Sequence, residues 1–269
     1  MKQKNWWRYL LSIPILALYV MPYYILLGVA LRDPFDPSSR WAFPTYFFPY
    51  HFITALDGRI FMGMRDSFII TFFAVLTIVA IGSLAAYPLA RNKSNINRFI
   101  RLSILAVMMI PPLSIIVPLY RLMLFFDAIS TYHGVIVLMA TFQLPLAIFL
   151  YTNFISSIPS ALDEAAAIDG CGPFRTFFSV IMPQLKPVTV SVVILTGVTC
   201  WNDYQFSLYF LQSPRLSSVT LAVSEFFAQV GSNPHAAAAA ASIGVLPLVV
   251  LFLFLQRYFI KGMIDSAIK

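Results

Sequence analysis

The chain has 269 residues, 59% hydrophobic, 16% aromatic and only 11% charged, where a soluble globular domain carries about a quarter charged residues. That balance argues against a soluble fold, and low charge with high hydrophobicity is the reverse of what keeps a chain disordered. An integral membrane protein remains, whose net charge of +7 belongs at lipid headgroups; no basic face interleaved with aromatics points to nucleic acid.

Met1 to Arg8 is a basic flank. The apolar stretch behind it exceeds a signal-peptide core and no small-residue cleavage pattern follows, so it reads as a retained first span, 9–31. About 20 mainly apolar residues make a membrane helix, and such runs recur at 67–90, 99–120, 134–154, 188–211 and 236–256. The second and sixth contain no ionisable residue, and the third is interrupted by Pro111, Pro112 and Pro118. The expected fold class is therefore an all-α integral membrane protein of six transmembrane helices, a single domain over 1–269. The alternating short strands of a barrel are absent. Cys171 falls in a loop and Cys200 inside a span, so both read as packing residues rather than a disulfide.

An even number of spans puts both termini on one side. Lys2, Lys4, Arg8, Arg91, Lys93, Arg98, Arg101, Arg175, Lys186, Arg257, Lys261 and Lys269 lie on that side, twelve in all, against six on the other: Arg32, Arg40, Arg59, Arg65, Arg121 and Arg215. The positive-inside rule makes the termini cytoplasmic. Of the external loops, 32–66 is rich in proline and aromatics, the composition of a compact cap at the interface. The loop 212–235 has an apolar centre, 219–230, suited to a short helix.

The cytoplasmic loop 156–187 is long for a helix connection. Ser160 with Asp163 three residues on has capping-box spacing, 161–169 propagates as a short helix, and Gly170 can take the left-handed position that ends it. Pro173 can open a second helix with Phe174, Phe177, Phe178 and Ile181 on one stripe, ended by Pro183. From these features alone the loop is equally an amphipathic connector resting on the bilayer.

The string Glu164-Ala165-Ala166, three residues, Gly170, nine residues, then Val180-Ile181-Met182-Pro183 resembles the EAA signature of bacterial ABC importer permeases. Ile158-Pro159, Ile168-Asp169-Gly170, Trp201-Asn202-Asp203 and the ending Gln256 to Gly262 are similar to the carbohydrate importer permeases of the maltose type, specifically the smaller permease subunit. Asp66-Ser67 departs from the Asn-Ser common there. The resemblance implies a type I importer permease fold. It also implies a coupling helix docked in a cleft of a cytoplasmic ATPase, with Glu164, Ala165, Ala166, Asp169 and Gly170 as coupling residues. The implied partners are a homologous larger permease, an ATPase dimer and an extracytoplasmic sugar-binding protein, with a sugar or oligosaccharide as cargo. No cofactor is expected on this chain, ATP and Mg being held by the partner ATPase. The binding protein would meet 212–235, at Pro214, Arg215, Glu225 and Asn233. Read from the residues themselves, the alanines permit close backbone approach and Glu164 offers a carboxylate to a basic partner; they are also simply good helix formers.

Ionisable residues inside a span are expensive and mark cavities or partners. Trp201, Asn202, Asp203, Tyr204 and Gln205 supply a ring, amides and a carboxylate, the chemistry of a sugar pathway; Asn202 and Asp203 could equally be a structural pair at a helix break. Gln143 in span four is a further pathway candidate that structural interhelical bonding explains as well. No metal spacing, nucleophile elbow or P-loop occurs, so the chain is not expected to hydrolyse ATP by itself, and the resemblance implies a transport subunit, not an enzyme. The competing function is an ion-coupled secondary carrier with Asp203 as the ion site. An intramembrane enzyme would need a second catalytic group beside Asp203, and none is present at that depth.

Overall fold

A computed structural model describes residues 6–39, 41–57, 59–228 and 233–267. Lys2, Lys4, Arg40, Gly231, Lys269 and the side chains of Arg8 and of the 257–262 ending lie outside the described residues. Among the described residues every regular element is helical. They divide into two compact units, Met1–Met64 with Val219–Pro247, and Arg65–Ser218 with Leu248–Lys269.

The first unit begins with α1 (Trp6–Ala30), which carries Pro14 and Pro22 internally. Every side chain from Leu10 to Tyr24 is exposed, and a helix apolar on all sides suits lipid or another subunit. The segment after it wraps around one buried cation. Arg32, only 4% exposed, donates to the carbonyls of Ser38, Ser39 and Ala42 at 3.0, 2.8 and 2.6 Å. Asp36 accepts from the Ser38 amide at 2.9 Å and from the Thr45 amide at 3.2 Å. α2 (Tyr50–Asp57) follows. Its His51 is buried, donates Nε2 to the Arg32 carbonyl at 3.1 Å and stacks on His235, ring centres 5.1 Å apart. Burial pushes the His51 pKa below its ordinary 6.5. α12 (Val219–Ala228) is tied to this unit by Glu225, whose carboxylate meets Arg59 at 2.9 Å. The first half of α13 (Pro234–Ala267) packs its alanines, Ala236 to Ala240, out of contact with solvent.

The hydrogen bonds on Asp36, the Ser38 amide chief among them, hold its carboxyl down at about 2 against an ordinary 3.8. A depressed acid stabilises the fold above its unfolded pKa, and that contribution is lost as pH falls through the folded value. The cap should therefore resist pepsin at about pH 4 and open only toward about pH 2, a window that digestion mapped by mass spectrometry would show; cleavage within 32–49 already at the higher pH would contradict it.

The second unit takes α3 (Ile60–Arg91) from Arg65 onward; at 32 residues it is a long apolar helix with Pro88 in its last turn. α4 (Asn95–Met108) starts where the Ser94 side chain accepts from the Asn97 amide. The third span does not continue straight. Pro111 and Pro112 remove two amides, and the residue before a proline is pushed out of the helical region. The chain turns by 94° into a 3₁₀ turn, Pro112–Ile115, and α5 (Ile116–Phe125). Pro118 sits in the first turn of α5, where a missing amide costs nothing. α6 (Tyr132–Ser157) opens on Thr131, whose hydroxyl accepts from the Gly134 amide at 3.1 Å.

Helix α10 (Lys186–Trp201) has 16 residues, about 24 Å at 1.5 Å rise, short of a hydrocarbon core of about 30 Å. A break at Asn202 to Tyr204 and the six residues of α11 (Gln205–Phe210) supply the rest of the run expected at 188–211. Among the described residues four helices are long and apolar enough to cross a membrane unaided, in α1, α3, α6 and α13, and the number rises to as many as six if two bent pairs, one on either side of Met109 to Pro111 and one of Pro173–Gln184 with Lys186–Trp201, each count as one span.

Candidate coupling loop and translocation residues

The loop between α6 and α10 carries α7 (Ala161–Ile168). Its far end is a full Schellman motif. Gly170 has φ +78°, the Cys171 amide reaches back to the Ala166 carbonyl at 2.9 Å and the Gly170 amide to Ala167 at 3.0 Å. Its near end differs from the capping box expected of Ser160 and Asp163. Ser160 has φ −64° and ψ −22° and makes no side-chain cap, because the helical conformation turns its hydroxyl away from the amides an extended cap residue would reach. Asp163 instead accepts from the Tyr87 hydroxyl at 2.6 Å and pairs with Arg91 at 2.8 Å. Ala166 is buried on the same side, whereas Glu164, Ala165, Ile168, Asp169 and Gly170 are exposed. The helix is held on one face and presented on the other.

The second half of the loop is α8 (Pro173–Thr176), one π turn (Phe177–Ile181) and α9 (Met182–Gln184). The expected single stripe is split. Phe177 and Ile181 are buried, but Phe174 is 77% and Phe178 51% exposed. Its cause is the wider turn, in which the Met182 amide bonds Phe177 five residues back and shifts the phase of the helix. The helical run also passes Pro183, to Gln184.

At the other candidate cluster, Trp201 is buried and Asn202 and Tyr204 are exposed. Asp203 accepts from the Phe206 amide at 3.2 Å, and from the Ser207 amide and hydroxyl at 2.8 and 3.0 Å. That is helix-capping geometry for α11. Phe206 packs on Phe142 of α6, ring centres 4.8 Å apart, next to half-buried Gln143. The amide nitrogen of Gln205 is buried without a hydrogen-bond partner among the described residues, which adds it to the polar set at the break.

The four residues of the outer loop part company. Pro214 and Arg215 are exposed and belong to the second unit. Glu225 and Asn233 belong to the first, where Glu225 pairs with Arg59 and Asn233 accepts from the Ala236 amide at 3.0 Å, capping α13. Reasoning from sequence missed Tyr87 and Arg91, whose only signal was a topological charge at the end of a span, and read Asp163 as a local cap.

The family model for the inner membrane component of binding-protein-dependent transport systems matches residues 78–265. The chain is 41% identical over 263 residues to the melibiose/raffinose/stachyose import permease MelC of Bacillus subtilis, covering 97% of this chain and 95% of that one. It is 30% identical over 207 residues to the trehalose/maltose transport system permease MalG of Thermococcus litoralis, covering 77% and 74%. A chain in the crystal structure of a bacterial ABC transporter involved in alginate import superposes with a TM-score of 0.82 at 15% identity, over 96% of this chain and 98% of that one. The chain belongs to the family of inner membrane components of binding-protein-dependent transport systems. It has the type I importer permease fold and is a multi-pass membrane subunit of an ABC importer. It is a transport subunit rather than an enzyme; ATP hydrolysis belongs to a separate partner.

Proposed function

We propose that this chain is the smaller permease of an importer for a sugar or oligosaccharide. It forms half of the pathway beside a larger homologous permease, above an ATPase dimer that holds ATP and Mg, and receives cargo from an extracytoplasmic binding protein. Relatives named for melibiose, raffinose and stachyose, arabinooligosaccharides and trehalose and maltose support the cargo class. The charge asymmetry of the loops supports cytoplasmic termini. The observation that carries the reading is α7, anchored through Asp163 and Ala166 with Glu164, Ala165, Ile168 and Asp169 open to a partner. Docking there by an ATPase that closes on ATP would bias the permease between outward and inward states. Asn202, Tyr204 and Gln143 are the pathway groups of this reading, and Asp203 shapes the break that displays them. A coupling ion at Asp203 would compete with three donors already on its oxygens, which favours the ATP-driven reading over an ion-coupled carrier. Pro214, Arg215, Glu225 and Asn233 are the candidates for binding-protein contact, Pro214, Arg215 and Asn233 exposed and Glu225 half-buried in its pair with Arg59.

The test is affinity purification from the native membrane, wild type beside Glu164→Lys with Gly170→Pro. Proline cannot take φ +78°, and lysine reverses the charge offered to the partner. Wild type should bring an ATPase that the double variant loses. Wild type purifying alone, with transport indifferent to ATP depletion, would sink the proposal.

A further inference from the structure

Tyr87 and Arg91 stand four residues apart, one helical turn, at the end of α3, and so project from the same face. Arg91 Nη2 lies 2.8 Å from Asp163 Oδ2. Its Nη1 donates to the carbonyls of Ile155 and Ile158 at 3.1 and 2.8 Å, at the end of α6, where the i+4 donor to Ile155 is missing because residue 159 is proline and only the Ile158 amide reaches back to it, at 3.1 Å. The Tyr87 hydroxyl donates to Asp163 Oδ1, and its ring packs on buried Phe177, ring centres 5.5 Å apart. Two side chains thus join α3 to the end of α6 and to both halves of the loop. The covalent connections differ from this in one respect: α7 is tied through the chain to α6 on one side and α10 on the other, but nothing in the chain ties it to α3. The neighbouring carboxylates point opposite ways, Asp163 inward to α3 and Glu164 outward. The Arg91 and Asp163 side chains are each 19% exposed, shielded enough for their attraction to outlast solvent screening, although Nη2 and Oδ2 meet as charges without hydrogen-bond alignment, so the direction of the contact comes from the Tyr87 hydroxyl on Oδ1.

We infer that Tyr87, Arg91 and Asp163 form the grip by which α3 follows the coupling loop, making them positioning residues for transport that contact neither cargo nor ATPase. The inference rests on α7 being the helix that docks on the ATPase. Without the grip, α7 still docks and still drags α6 and α10, but α3 lags, so hydrolysis proceeds while the pathway opens incompletely.

The experiment uses the complete importer in proteoliposomes, with its ATPase, partner permease and binding protein. Asp163→Asn, which keeps shape and removes charge, Tyr87→Phe, which removes one hydroxyl, Arg91→Met, and the Asp163→Asn/Arg91→Met pair are compared. Subunit recovery and hydrolysis stimulated by the binding protein should stay near wild type. Cargo moved per ATP should fall about tenfold in Asp163→Asn and less in Tyr87→Phe, and the pair should be no worse than Arg91→Met alone, as members of one interaction behave. An unchanged transport-to-hydrolysis ratio in both Asp163→Asn and Tyr87→Phe overturns the inference. So does loss of the ATPase from both, since Asp163 would then serve docking. Failure of the parent reading looks different: there the wild-type chain recovers no ATPase at all.

Discussion

Replacing Gly134 by alanine should largely abolish recovery of folded protein. A Cβ at this position lands far inside contact distance of the Ala128 carbonyl oxygen, and 2.9 Å from both Met123 Cε and Thr131 Oγ1. The methionine could swing aside, but the other two belong to a turn with no slack. Asp127 and Ser130 already sit at φ 49° and 54°, which is uncommon for residues other than glycine. The Ser130 amide donates to the Phe210 carbonyl at 2.8 Å, and its hydroxyl accepts from the amides of Gln212 and Ser213 at 2.9 and 3.0 Å. The turn cannot yield without pulling on the end of α11. Overpacking of this kind costs about 3 kcal/mol or more where backbone must move. Gly172→Ala, where a Cβ meets nothing within 4 Å, is the control and should leave yield unchanged. Size-exclusion yield and thermal stability in detergent decide it; a Gly134→Ala protein as stable as the control would contradict the packing described.

Asp66→Ala should be nearly as damaging. The Asp66 side chain is fully buried and collects the Tyr132 hydroxyl at 2.7 Å, the Ser217 amide at 3.2 Å and the Arg65 guanidinium at 2.8 Å. Arg65 is 55% exposed, so its share is screened and is discounted. What counts is the buried Ser217 amide and the tyrosine hydroxyl, each left without an acceptor, at about 1–3 kcal/mol apiece. Asp66→Asn retains one acceptor oxygen and should be far milder. Because Ser217 is two residues beyond Arg215, the alanine variant should also become sensitive to trypsin at Arg215. Equal melting temperatures and unchanged cleavage for Ala and Asn would refute this account.

The membrane class was legible because charge is expensive in lipid and its scarcity is a property of composition alone. Gly170 was legible for a local reason: only glycine takes the left-handed position at no cost, so its place after Ile168-Asp169 marked a helix end. The double proline marked the break in the third span for the same kind of reason, although the 94° bend depends on packing that proline does not encode. The grip was hidden because Tyr87 and Asp163 are 76 residues apart. Locally, Ser160 and Asp163 satisfied a common capping rule, and that rule was overridden once Arg91 offered the carboxylate a stronger partner. Likewise the long-range engagement of Glu225 was hidden: it reads as a recognition residue, and the structure adds a salt bridge to Arg59, 166 residues away. Nothing beside Glu225 announces that partner, whereas the cap at Asn233 does have a local signal, Pro234 at the first helical position.

The interruption between α10 and α11 bears on how the subunit matures. Backbone without helical hydrogen bonds is tolerated at membrane depth only where protein or water covers it, and Asn202 and Tyr204 are uncovered in the isolated chain. Alone in the bilayer, the newly inserted polypeptide presents polar groups to hydrocarbon. Covering that notch, by protein or by water, is therefore part of completing the fold rather than an event that follows it.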